Sequence, residues 1–122
     1  MIKIALADDS GILRSALKNV LESSGFEVIL EAENSQELFA GLKRKPADLV
    51  LLDVFFPNES GLDMLARIKK LYPRTKVLVV TGLQQDNVLA EAQKNGADGV
   101  LYKPFDSGEL VAAVERVLPK KK

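Results

Sequence analysis

Asp53 sits in an apolar run, residues 49–56, that stops at Pro57. A run of that kind bounded by a breaker reads as a strand buried on both faces of a parallel sheet. A carboxylate there is expensive unless something compensates it. Two more carboxylates, Asp8 and Asp9, follow a second apolar run at residues 2–7, Thr81 follows a third, and Lys103 follows a fourth. If these strand ends share one edge of a sheet, three carboxylates converge on one crevice. Their mutual repulsion then calls for a cation, and oxygen-only ligation suits a hard divalent ion such as Mg²⁺. Lys103 and Thr81 would flank the opposite side as a point charge and a hydroxyl. That set suits phosphoryl transfer to a carboxylate. Asp53 would be the nucleophile and form an acyl phosphate. The cation and Lys103 would neutralise the transferred group, with Thr81 donating one hydrogen bond. Ala7 and Gly82, both small, leave room for a donor to approach.

Composition excludes most other chemistry. The chain has no Cys and no His, so thiol chemistry, disulfides, zinc sites and His-assisted nucleophiles are all absent. Seventeen Lys and Arg balance seventeen Asp and Glu, so no global field favours nucleic acid or an anionic membrane. The basic clusters Lys43-Arg44-Lys45 and Lys120-Lys121-Lys122 read as solvated ends. Every apolar run falls short of the roughly 18 residues of a membrane span, and the N-terminus lacks a signal-peptide pattern. The expected location is the cytoplasm.

The elements that must position these residues are legible from periodicity. Strands are expected at residues 2–7, 26–32, 48–54, 76–80 and 99–102. Ser10 is expected to cap a first helix carrying Leu13, Ala16, Leu17, Val20 and Leu21, closed by Gly25. Asn34 or Ser35 caps a second with Leu38, Phe39 and Leu42, and Pro46 lies past its end. After a loop at residues 57–61, a third presents Leu62, Leu65, Ile68 and Leu71 to the core and ends at Pro73. A fourth spans about residues 85–94 and ends at Asn95-Gly96. Asp106 or Ser107 caps a fifth with Leu110, Val111, Val114, Val117 and Leu118 inward. Five βα units with short connections make a single α/β domain over residues 1–122, a doubly wound five-stranded parallel sheet with right-handed crossovers. Residues 119–122 are expected to be a tail or the start of a linker. In strand order 2-1-3-4-5, strands one and three are neighbours at the switch point, where Asp8, Asp9 and Asp53 would meet.

Taken singly, each residue has a plainer role. Asp9 could cap a helix, although Ser10 competes for that place. Lys103 alone suits a solvated surface, Thr81 a turn, and Pro104 a strand end. Asp53 is a poor cap, because the next helix starts several residues later. These plain roles fail jointly, since all five chemical residues land on one sheet edge.

With these residues in register, the chain resembles the receiver domain of bacterial two-component response regulators, the chemotaxis-regulator-like family. The motifs are Asp8-Asp9, Asp53 with Pro57 and Gly61 downstream, Thr81-Gly82, and Lys103-Pro104-Phe105. The resemblance covers the whole chain and implies a (βα)5 flavodoxin-like three-layer sandwich. It implies that Asp53 takes phosphate from a phosphohistidine on a sensor kinase or phosphotransfer protein. It also implies Mg²⁺ held directly by Asp9 and Asp53, with Asp8 often acting through water and the Phe55 backbone carbonyl completing the set. The Lys103-Pro104 bond is expected to be cis. One residue departs from the family pattern: the aromatic usually found three positions before the Lys is Val100, while Tyr102 lies two residues further along the strand. Signalling is therefore expected through Thr81, the Leu83 loop and the fourth helix. Phe55 and Leu83, both apolar, are expected to make self-dephosphorylation slow.

The function expected is a switch and not a turnover enzyme, acting only on its own phosphorylation. Its partners would be the kinase and either a downstream output protein or a C-terminal effector domain. No direct nucleic-acid or membrane contact is expected of this domain. A phosphorylation-dependent homodimer through the fourth helix, fifth strand and fifth helix is a further expectation. The competing readings are a phosphorylation-independent interaction module, a flavodoxin-like electron carrier and a haloacid-dehalogenase-type phosphatase. The intact acidic set argues against the first. Asp8-Asp9 would repel the phosphate of a flavin. The phosphatase would need a second Asp where Phe55 stands.

Overall fold

A computed structural model describes residues 1–82 and 86–118 of the chain. In chain order the elements are β1 (Lys3–Ala7), α1 (Gly11–Ser23), β2 (Glu27–Ala32), α2 (Ser35–Arg44), β3 (Leu49–Asp53), β4 (Phe55–Phe56) and β5 (Glu59–Ser60). There follow α3 (Gly61–Leu71), β6 (Lys76–Thr81), α4 (Asp86–Lys94), β7 (Gly99–Tyr102) and α5 (Ser107–Val117).

The helices begin where side chains satisfy their first amides. Ser10 accepts from Leu13 N–H at the start of α1, and Asn34 accepts from Glu37 N–H at the start of α2. Asp106 and Glu109 form a reciprocal capping box on α5, which settles the Asp106-or-Ser107 alternative for Asp106. Gly25 and Gly96 adopt φ of 93° and 94° just past the ends of α1 and α4, a conformation that a side chain would disfavour.

The main sheet is parallel in the order β2-β1-β3-β6-β7. This is the expected 2-1-3-4-5 arrangement, with β4 and β5 standing apart as a separate antiparallel hairpin. Alternate residues of each strand enter opposite layers, because the side-chain period of a strand is two. Ala5, Ala7, Val50, Leu52, Val77 and Val79 face α2, α3 and α4. Ile4, Leu6, Leu49, Leu51, Leu78 and Val80 face α1 and α5. Every residue of β3 is buried, as a central parallel strand requires.

The structure corrects the sequence reading at two places. Residues 57–61 are not a plain loop. Pro57 and Asn58 form the two-residue turn of the hairpin, which pairs Phe55 with Ser60 and Phe56 with Glu59. Asn58 has φ of 64°, and a Pro followed by a residue at positive φ is the pattern of a type II turn. The second correction is Leu71, expected inside and found 51% exposed. It is the last residue of α3, and the following Tyr72 packs against the core instead. Met64 joins Leu65 and Ile68 as the buried stripe of that helix.

Candidate functional site

The carboxyl ends of β1, β3, β6 and β7 lie along one edge of the sheet. Asp53 is the final residue of β3, and its Cα pairs with Val80. Thr81 therefore stands one residue further along the neighbouring strand, and it is completely buried. Asp8 follows β1, and its N–H donates to Ala32 O at 3.0 Å, so β2 holds it in place. Lys103 follows β7 and donates its own N–H to Thr81 O at 2.8 Å. The Lys103–Pro104 bond is cis.

The side chains meet as the strand ends bring them together. Asp8, Asp9 and Asp53 each offer a carboxylate oxygen, and these atoms all lie within 4.8 Å of one another. Asp8 and Asp53 are only 5% and 8% exposed, whereas Asp9 stands at the surface. Lys103 Nζ lies 3.9 Å from Asp8 Oδ2 and 3.7 Å from Asp53 Oδ2. Both are ion-pair distances too long for a hydrogen bond. Asp53 Oδ1 accepts from Val54 N–H at 2.8 Å and, at the long limit of 3.5 Å, from Phe55 N–H. Asp8 Oδ1 accepts from Ser10 N–H at 2.8 Å.

Burial pushes the Asp53 carboxyl above its ordinary value. The Lys103 ammonium opposes the shift, Asp8 adds to it, and the Phe55 and Val54 amides oppose it weakly. One lysine therefore does not offset burial beside a second carboxylate. Oxygens bound to one Mg²⁺ ion lie at most about 4.2 Å apart, twice the ligand distance. The three aspartate oxygens, within 4.8 Å of one another, lie close to that limit. The donor set is all oxygen and acidic, which fits a hard divalent cation.

The sequence placed all five of Asp8, Asp9, Asp53, Thr81 and Lys103 on this edge, and the structure brings them there. Phe55 lies beside them in β4 and is 53% exposed. Leu83, expected to flank the site, lies outside the described residues. Val100 packs partly against the α3 and α4 layer, and Tyr102 pairs with Thr81 across β6 and β7.

Three supporting contacts were not read from the sequence, although Gly61 itself stood in the motif. Gly61 packs directly on the end of β3, its N–H donating to Val54 O at 2.7 Å. The Glu59 carboxylate accepts from the N–H and hydroxyl of Ser35, tying the hairpin to the first turn of α2. Arg14 reaches from α1 to the backbone carbonyl of Asp8. Each contact depends on how neighbouring elements turn in space, which spacing alone does not reveal.

The family model of the response regulator receiver domain matches residues 4–115. The chain belongs to the response regulator receiver domain family. The receiver is 34% identical over 116 residues to the chemotaxis protein CheY of Listeria monocytogenes, covering 95% of this chain and 98% of that protein. It is 36% identical over 115 residues to the DNA-binding transcriptional regulator NtrC of Azospirillum brasilense, covering 94% of this chain but 24% of that longer protein. Its fold matches a response regulator from Burkholderia pseudomallei, solved with a phosphorylated aspartic acid, a calcium ion and citrate. That match has a TM-score of 0.86 at 28% identity and covers 93% of this chain and 66% of the other. The receiver is thus a two-component signalling domain with the flavodoxin-like sheet of its relatives.

Proposed function

We propose that this receiver is a phosphorylation-dependent switch in which Asp53 accepts a phosphoryl group from a phosphohistidine of a sensor kinase or phosphotransfer protein. The observation that carries this reading is the packing of three carboxylate oxygens within 4.8 Å beside Lys103. A scaffold has no use for that repulsion. The phosphorylated aspartic acid and calcium ion of the Burkholderia protein support the same chemistry here.

Asp8, Asp9, Asp53 and the Phe55 carbonyl would hold Mg²⁺. Bound there, the ion would supply charge neutralisation for the site and the transferred phosphoryl group. Asp53 must be ionised to attack phosphorus. Burial raises its pKa and works against that, and a divalent cation held beside Lys103 would favour the ionised form. A carboxylate oxygen of Asp53 forms the new bond to phosphorus as the bond to the donor nitrogen breaks. The donor ring, already protonated on its other nitrogen, takes the P–N bonding pair and leaves as neutral imidazole. Lys103 stabilises the equatorial oxygens, and Thr81 moves toward them to donate from its hydroxyl.

The readout would pass from Thr81 to α4, β7 and α5. With Val100 at the usual aromatic position, movement of α4 carries more of the signal than a ring flip. The altered face would control a downstream protein, an attached effector domain of the kind found in longer relatives, or a second copy of this domain. The domain would act in the cytoplasm and catalyse only its own phosphorylation and dephosphorylation. Among the described residues no helix is long and apolar enough to cross a membrane.

Incubation with Mg²⁺ and acetyl phosphate, followed by intact mass measurement, tests the proposal. One added phosphoryl group is expected on the wild type and none on Asp53→Asn. An unmodified wild type would favour the phosphorylation-independent module.

A further inference from the structure

We propose that Arg14 is a positioning residue for the metal pocket, holding the peptide that joins Asp8 to Asp9. The proposal rests on the Mg²⁺ reading above. Every polar group of Asp8 is held by a different part of the fold. Its N–H donates to Ala32 O of β2, its Oδ1 accepts from Ser10 N–H, and its Oδ2 faces Lys103. The remaining group, the Asp8 backbone carbonyl, accepts from Arg14 Nη1.

Asp9 has no such support. It is exposed, and among the described residues no hydrogen bond or ion pair holds its carboxylate. The planar peptide it shares with Asp8 is what places its Cα, and the hydrogen bond to the Asp8 carbonyl restrains that peptide. Arg14 therefore restrains the backbone from which Asp9 reaches the pocket without touching Asp9 itself.

Arg14 is itself anchored. Its side chain is 15% exposed, and Nε lies 3.5 Å from Glu31 Oε1. Nε is buried and makes no hydrogen bond, so the Glu31 charge is its compensation. Lys18 Nζ approaches the other Glu31 oxygen at 3.9 Å. Glu31 precedes Ala32 in β2, so the strand that holds Asp8 N–H also holds the arginine that binds Asp8 C=O.

Charge and position make opposite predictions. A guanidinium beside an acidic pocket repels a second cation, so charge alone predicts tighter Mg²⁺ binding when it is removed. Loss of an orienting group behind a ligand typically weakens metal affinity by about 10–100-fold.

The test is calorimetric titration of Mg²⁺ into wild type, Arg14→Met and Arg14→Lys, with thermal melts in EDTA to separate fold stability from metal affinity. Arg14→Met is expected to bind Mg²⁺ about tenfold more weakly or worse. Arg14→Lys, which keeps the charge and one donor, is expected to fall between it and wild type. Equal or tighter binding by Arg14→Met overturns the proposal. Should Arg14→Met not fold, Arg14→Lys decides: weakened binding supports the proposal and wild-type affinity overturns it. A wild type with no Mg²⁺ affinity overturns the functional reading and this inference together. Normal wild-type binding with an indifferent Arg14→Met overturns this inference alone.

Discussion

Gly61 and Asp53 are in backbone contact: a Cβ built on Gly61 would lie 2.1 Å from the Asp53 carbonyl oxygen and 2.7 Å from Val54 Cα. The first residue of α3 thus seals the end of the strand that carries the phosphoacceptor. No flexible side-chain tip absorbs the clash, since these atoms and the Val54 carbonyl oxygen, 2.8 Å away, are all backbone.

Gly61→Ala is accordingly expected to displace α3 or the end of β3. The cost is about 2–4 kcal/mol, at the upper end for overpacking because backbone must move. A lower denaturant midpoint together with slower phosphorylation by acetyl phosphate is the expected pair of results. Wild-type stability would contradict the contact.

Asp53 is a liability to the metal-free fold. On folding, burial raises its pKa above the ordinary value of 3.8. The sign follows from linkage: a carboxyl raised on folding favours the fold below its unfolded pKa, and that contribution is lost as pH rises through the folded value. At neutral pH in EDTA, Asp53→Asn is expected to melt a few degrees above wild type. Mg²⁺ should stabilise the wild type and leave the variant much less affected. A variant that melts below wild type in EDTA would count against a strained acidic pocket.

The Glu59–Ser35 tie has the opposite sign. Hydrogen bonds from the Ser35 hydroxyl and N–H hold the Glu59 carboxyl below its ordinary value of 4.5. Its contribution is therefore present above that value and lost as pH falls through the folded one. The pair is solvent-accessible, so the effect is expected to be under about 1 kcal/mol. Ser35→Ala should lower the denaturant midpoint at neutral pH and converge with wild type in acid, as Glu59 becomes protonated. A gap that persists in acid would place its cause elsewhere.

Phe55 stands exposed next to Asp53 with no polar atom on its side chain to orient a hydrolytic water. Phe55→Asn is expected to shorten the lifetime of the phosphorylated state several-fold, read as decay of the phospho-protein mass after donor removal. An unchanged lifetime would mean that this position does not govern water access.

The residue pattern alone determined the layout of the site. The apolar runs ending at Ala7, Leu52 and Val80 are short-range signals, and strand ends in a doubly wound sheet share an edge by topology. Asp8, Asp9, Asp53, Thr81 and Lys103 could be placed there before any coordinate was known. Caps at Ser10 and the turns at Gly25 and Gly96 are likewise local. The tertiary structure alone decided what holds that layout rigid. The β4–β5 hairpin was hidden because Pro57 reads first as a breaker, and its pairing depends on the residue at positive φ beside it. Leu71 kept helical period but ran past the end of the buried face. Gly61 against Asp53, Glu59 against Ser35 and Arg14 against the Asp8 carbonyl join separate segments of the chain. Periodicity records which face a residue takes. Only packing determines which distant backbone atom it then meets.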